Sequence, residues 1–203
     1  MDSSLSLGYE VITKNLTELL QYIEPCDSNL GSYSHRTFHL LLSAATEFEN
    51  LCKMALGDSG ITNATSITDY RQLEDIYHLS DTEVGLLFWV PGPLYIKPFL
   101  GWEGGKHSLD WYSDYNKVKH NRVSEFSKAT FRNVVFAIAG LHLLFHEYIG
   151  VHFFHPYGGP GFFWRDPGPG GLEEQKVSNC PFSIRKKAGK FNEEKSKWMR
   201  GER

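Results

Sequence analysis

Two stretches of this chain repeat apolar residues at the three-and-four spacing of a helix, and any fold must bury both. In the first, Phe38, Leu41, Leu42, Ala45, Phe48, Leu51, Cys52 and Ala55 form one continuous face. Ser34 is a good N-cap residue and Gly57 the expected stop, so a helix is predicted from about Ser34 to Leu56. Its opposite face carries His35, Arg36, His39, Thr46, Glu47, Glu49 and Lys53. In the second stretch, Phe131, Val134, Val135, Ile138, Leu141, Leu144, Phe145 and Tyr148 make the buried stripe of a helix that Ser124 or Ser127 caps and Gly150 ends. A third pattern, from about Leu7 to Ile23, carries Tyr9, Val11, Ile12, Leu16, Leu19, Leu20 and Ile23 and is closed by Pro25. Stripes of this kind are buried by packing one helix on another, so the fold class expected is all-α.

Between these helices the texture changes. A polar loop spans Asp58 to Ser66, and Thr68 to Leu79 reads as a shorter helix capped by Thr68 or Asp69. Residues Glu83 to Val90 are rich in β-formers, Pro91-Gly92-Pro93 is a turn, and Leu94 to Leu100 is again apolar though broken by Lys97 and Pro98. This segment is either a small hairpin or an irregular lid, ended by the glycines around Trp102. Beyond Gly150 the periodicity fails: His155 to Gly171 is rich in glycine and proline around Phe162, Phe163 and Trp164, and Ile184 to Arg203 is basic and polar. The expected architecture is a helical bundle of four to five helices over residues 1–150, with a β-like insertion at 83–100. An extended C-terminal appendage, residues 151–203, is ordered only where its aromatics dock.

The 203 residues are long enough for one domain with a sizeable core and marginal for two. A hydrophobic fraction of 41% with 14% aromatics is that of a globular chain. A net charge of -3 argues against bulk nucleic-acid binding through charge alone. That total hides an acidic excess up to Gly150 and a basic excess after it. The longest apolar run, Val134 to Phe145, is interrupted by His142 and too short to span a bilayer, so no membrane is expected. Met1-Asp2-Ser3-Ser4 does not open a secretory signal. Cys26, Cys52 and Cys180 lack metal-type spacing and fit reduced thiols in a cytoplasmic protein, with a Cys26–Cys52 pairing left open.

The segment richest in chemistry is Trp111-Tyr112-Ser113-Asp114-Tyr115-Asn116-Lys117-Val118-Lys119-His120-Asn121-Arg122. Nothing in it breaks a helix. Trp111, Tyr115 and Val118 form an apolar stripe, while Asn116 and His120, four apart, share another face. An imidazole among cations suits phosphate binding and general acid–base chemistry on a phosphodiester. The plainer reading is a core stripe backed by a solvated polar face.

The motif Tyr115-Asn116-x-x-Lys119-His120-x-Arg122 and the order of helices resemble the HEPN family, and in particular a group of uncharacterised HEPN-like bacterial proteins. HEPN proteins are small all-α bundles of prokaryotic conflict systems and related settings. Their hallmark is an arginine followed by four to six residues and a histidine, often with a polar residue directly after the arginine. Many are metal-independent ribonucleases whose two copies line one cleft, with the RNA 2′-hydroxyl as nucleophile. The resemblance spans about Leu7 to Gly150 and implies an endoribonuclease or RNA-binding protein that forms a homodimer. By the same resemblance, His120 is the acid/base, Asn116 a positioning amide, and Arg122 and Lys119 phosphate partners, with Lys117 beside them. Tyr115 stands where the family has its arginine, offering one neutral donor in place of a guanidinium fork. Arg122 lies about 200° round the axis from His120 on a continuous helix and points elsewhere unless the helix ends at His120. The alternative is a non-catalytic adaptor that binds protein through the aromatic insertion and tail.

Other groupings carry less. His142 and His146, with His152 and His155, have the residue types of a metal site but no His-Glu-x-x-His pattern, so neither metal nor cofactor is expected. Glu47 is either part of a charged face or the carboxylate that orients His120 across the bundle. The glycine–proline runs are linker-like rather than phosphate loops. Arg185, Lys186, Lys187 and Lys190 form a basic cluster that suits RNA backbone, an acidic partner or plain solvation.

Overall fold

In a computed structural model, the structure describes residues 3–105, 108–150, 162–163, 172–177 and 181–187. The fold is mostly helical with a small antiparallel sheet. Among the described residues, seven α-helices run in order: α1 (Ser3–Leu19), α2 (His35–Asp58), α3 (Ile67–Tyr70), α4 (Gln72–Tyr77), α5 (Asp110–His120), α6 (Arg122–Glu125) and α7 (Phe131–Ile149). The strands are β1 (Glu83–Leu86), β2 (Leu94–Ile96), β3 (Phe162–Phe163), β4 (Leu172–Val177) and β5 (Phe182–Lys187).

The long helices form for the reasons the periodicity gives. Ser34 caps α2 with a reciprocal box: its hydroxyl accepts from the Thr37 N–H at 3.2 Å and the Thr37 hydroxyl accepts from the Ser34 N–H at 2.7 Å. Gly57 does not end this helix. It runs on to Asp58, and Gly60, at φ +87°, makes the left-handed turn. The Gly60 N–H donates to the Gly57 carbonyl at 2.9 Å and the Ile61 N–H to Leu56 at 2.8 Å, the bonding of a Schellman motif. Thr130, rather than Ser124 or Ser127, caps α7 through a bond from the Asn133 N–H. Ser66 caps α3, with Asp69 completing the box, so neither Thr68 nor Asp69 is the cap.

The stripes of α2 and α7 face each other along the centre of the molecule, with α1 against α2 and α5 laid over both. Leu41, Phe48, Leu51, Phe131, Ile138 and Leu144 are wholly buried there. The α5–α7 crossing is close because Gly140 lacks a side chain; a Cβ there would stand 3.4 Å from the Trp111 ring. Trp111 is anchored by its indole N–H, which donates to the Pro98 carbonyl at 3.0 Å.

The insertion is a hairpin. β1 and β2 pair with Val84 opposite Ile96 and Leu86 opposite Leu94. The sheet order is β2-β1-β5-β4-β3, all neighbours antiparallel. β5 therefore lies beside β1, with Val84 opposite Ile184 and Leu86 opposite Phe182. Phe182 and Ile184 are 1% and 3% exposed, members of the same core as the helices. Within the segment expected to be ordered only where its aromatics dock, Phe182 is such a docked aromatic. Phe182 and Ile184 share one strand face in the core, Ser183 on the other is buried as well, and β1 supplies the partner that makes the segment a strand. The Gly/Pro run between Tyr157 and Gly161 and the residues after Lys187 lie outside the described residues.

Candidate functional site

α5 is held by two neighbours, and its residues sort by which neighbour they meet. Trp111, Tyr112, Tyr115 and Val118 are buried, at 5% exposure or less. On the α7 side, Asp114 accepts from the Asn133 side-chain amide at 3.1 Å and pairs with Lys117 at 3.0 Å. On the α2 side, Tyr112 donates to Glu49 Oε1 at 2.8 Å, and Lys119 Nζ lies 3.7 Å from the same oxygen and 5.0 Å from the Tyr115 ring centre. Lys117 and Lys119 thus flank opposite sides of the helix. His120 is exposed between them as the last residue of α5, and Asn116, one turn back on the same face, is half-buried.

Two expected site residues are placed elsewhere. Tyr115 is 1% exposed and belongs to the core, so it offers no donor to a ligand. Burial pushes its phenol pKa up, against hydrogen bonds from Lys119 and Thr46 that act the other way. Glu47 faces α1: a Cβ on Gly8 would stand 3.2 Å from its carboxyl carbon. The carboxylate that meets α5 is Glu49, two residues on and about 200° round α2. Alternating glutamates in a polar helical face gave no signal as to which one the packing would select.

Around Glu49 lies a polar cluster that the motif alone did not reveal. Burial, and then the Glu49 carboxylate, push the Tyr112 hydroxyl well above the ordinary phenol range. Tyr70 is fully buried with its hydroxyl lacking a hydrogen-bond partner among the described residues, and burial raises its pKa as well. Cys52 is a buried free thiol, raised by burial and by Glu49. The Lys119 ammonium is held in its charged form chiefly by Tyr115, with Glu49 adding to it. Cys26 is also a free thiol, so the open Cys26–Cys52 pairing is not made.

Arg122 turns on where α5 ends. The helix stops at His120, and Asn121 leaves helical geometry at φ -132°, ψ 55°. The chain therefore restarts as α6 and carries Arg122 toward the first turn of α2. Its Nη2 lies 3.3 Å from His35 Nδ1, and its guanidinium carbon 4.8 Å from the Phe38 ring centre. The cations near His120 thus meet three separate partners: Asp114, Glu49 and His35.

The histidines of α7 are engaged within the fold. His142, 2% exposed, shares a 2.7 Å hydrogen bond with Tyr9, and His146 Nδ1 lies 2.8 Å from Glu147. Lys186 on β5 donates to Glu147 at 2.6 Å, and the Arg185 guanidinium stacks 3.4 Å from the Tyr95 ring centre. Two members of the basic tail cluster are therefore structural contacts. His152, His155 and Lys190 lie outside the described residues.

Among the described residues, no helix is long and apolar enough to cross a membrane. Compared with protein-family models, curated proteins and solved structures, the chain matches none of them.

Proposed function

We propose that the chain is a cytoplasmic, RNA-directed HEPN-like protein, a four- to five-helix bundle that works as a homodimer in a prokaryotic defence setting. The observation that carries this reading is the end of α5: His120 is exposed at its last residue, Asn116 lies one turn behind it, and the break at Asn121 turns Arg122 toward His35 at the start of α2. In this reading the 2′-hydroxyl oxygen bonds to phosphorus and the 5′-oxygen leaves, giving a 2′,3′-cyclic phosphate. His120 takes the hydroxyl proton or returns one to the leaving oxygen, and the partner copy's ring supplies the other transfer. Arg122 replaces the fork that Tyr115 lacks. Asn116 positions the phosphate, and Lys119, partly neutralised by Glu49, contributes field rather than a direct grip. No step needs a metal.

The test is single-stranded labelled RNA incubated with the purified full chain in EDTA. Cleavage to cyclic-phosphate ends is expected, falling about 100-fold or more in His120→Ala with helicity unchanged. Cleavage that survives this substitution overturns the assignment. A second reading, a non-catalytic binding module, is favoured by the separate partners of Lys117, Lys119 and Arg122. RNA bound without cleavage, or protein captured without RNA, selects it.

A further inference from the structure

We propose that Arg122 and His35 act as one phosphate-gripping unit for single-stranded RNA, with Tyr33 as the stacking surface for the adjoining base; this rests on the RNA reading above. A guanidinium only donates and does not lose its proton. In the 3.3 Å contact, His35 Nδ1 is therefore the acceptor, which leaves Nε2–H as the donor the ring offers outward. The pair then presents only donors outward: the remaining N–H groups of the fork and the Nε2–H. Such a set matches a phosphate oxygen pair.

The unit is braced but not neutralised. The guanidinium lies against Phe38 at 4.8 Å and Phe126 at 6.0 Å, and the His35 ring packs on Phe126 at 5.0 Å. Among the described residues, Arg36, Arg71, Lys117, Lys119 and Lys128 each have a carboxylate within salt-bridge distance, whereas Arg122 has none. Both His35 and Arg122 are exposed. Tyr33, 52% exposed, stands edge-on to Phe126 at 5.9 Å and is fixed by the backbone bridge to Thr130. A donor fork beside an exposed aromatic held in place is the combination that grips a backbone phosphate and stacks its base. His120 is two residues from Arg122, so the Cα atoms of the two lie within about 7 Å of each other.

The experiment measures binding of a fluorescent single-stranded RNA of about 12 nucleotides to the full-length protein over a range of salt. Arg122→Met, which keeps the apolar stem over Phe38, is expected to weaken binding about tenfold or more and to lower the salt slope by about one. His35→Ala is expected to weaken it about fivefold, with a smaller change of slope than in Arg122→Met. The double variant is expected to lie within about twofold of Arg122→Met alone, since both groups serve one phosphate. Tyr33→Ala is expected to cost about tenfold. Far-ultraviolet circular dichroism and thermal melts of each variant check the fold. If wild type binds RNA and the Arg122 and His35 variants bind as tightly, the grip is wrong while the functional reading stands. If their losses multiply independently, they are not a unit. Inorganic phosphate binding as tightly as the RNA at matched ionic strength identifies a free-phosphate site and overturns the proposal. If wild type binds no RNA, both readings fall.

Discussion

Tyr115 decides how the motif can work. Its side chain lies in the core between α2 and α5, where its ring carries the Lys119 ammonium and its hydroxyl meets Lys119 and Thr46. An arginine at this position would restore the family pattern in sequence and fail in space. It would bring a second cation beside Lys119 into a buried site with only Glu49 to answer both. Tyr115→Arg is therefore expected to destabilise the fold by about 3 kcal/mol or more, read as a lower urea midpoint, with no gain of nuclease activity. A stable and more active variant would show that the tyrosine is a substitute for arginine rather than a core residue. The difference between Glu47 and Glu49 belongs to the same scale. The two lie about 200° apart round α2, and of the pair Glu49 finds Tyr112 and Lys119.

At the scale of elements, helix ends place Arg122 and His35. The end of α5 at His120 frees Arg122 from the helix axis, and the capped start of α2 holds His35 where Arg122 arrives. The far end of α2 is set by Gly60, whose φ of +87° is a conformation L side chains rarely adopt. Gly60→Ala is expected to cost about 1–2 kcal/mol in chemical denaturation, with α2 otherwise intact. A neutral effect would mean that the turn at Ser59 and Gly60 can rearrange without loosening Ile61 from the core. The start of α7 is pinned from outside: the Phe131 N–H donates to the Ser32 carbonyl at 2.7 Å and the Arg132 N–H to Leu30 at 3.0 Å. That loop also carries Tyr33, so the α7 cap and the stacking surface are one construction.

Across the whole molecule, the strand at Phe182 to Lys187 closes the core rather than trailing from it. Phe182 stands against Phe88 and His142, and Lys186 neutralises Glu147 on α7. Phe182→Ala is expected to cost about 3–5 kcal/mol, measured by urea unfolding followed through both helix and aromatic signals. A loss below about 1 kcal/mol would mean that the strand is not part of the cooperative unit. The same junction sets a pH dependence. Burial would raise the Glu147 carboxyl, but the His146 hydrogen bond and Lys186 outweigh it and hold the pKa at about 2, against 4.5 for a free side chain. Burial, with His146 beside it, lowers the His142 imidazole to about 3 from 6.5. The unfolded chain thus binds a proton at His142 below about pH 6.5, and another at Glu147 below about 4.5, that the folded chain refuses until about 3 and 2. In both windows stability falls as the pH falls, with a steeper loss once Glu147 joins. Urea midpoints taken from neutral to acid pH check this; His142→Gln should flatten the upper window and leave the lower one.

The long helices and their buried faces were legible in the chain because a helix repeat is local: i, i+3 and i+4 neighbours report on each other wherever the segment ends up. The β-formers either side of Pro91-Gly92-Pro93 leave a hairpin and an irregular lid both open, and the pairing of β1 with β2 makes it a hairpin. What only the tertiary structure decided are the choices that depend on distant partners. β5 is a strand because β1, about a hundred residues earlier, offers an edge. Glu49 rather than Glu47 meets α5 because packing rotates α2 to that face. Arg122 reaches His35 because a helix that could have continued stops at His120. Local pattern sets which residues are apolar or charged; the direction a charge points is set by whatever packs against its helix, and no short-range rule carries that information.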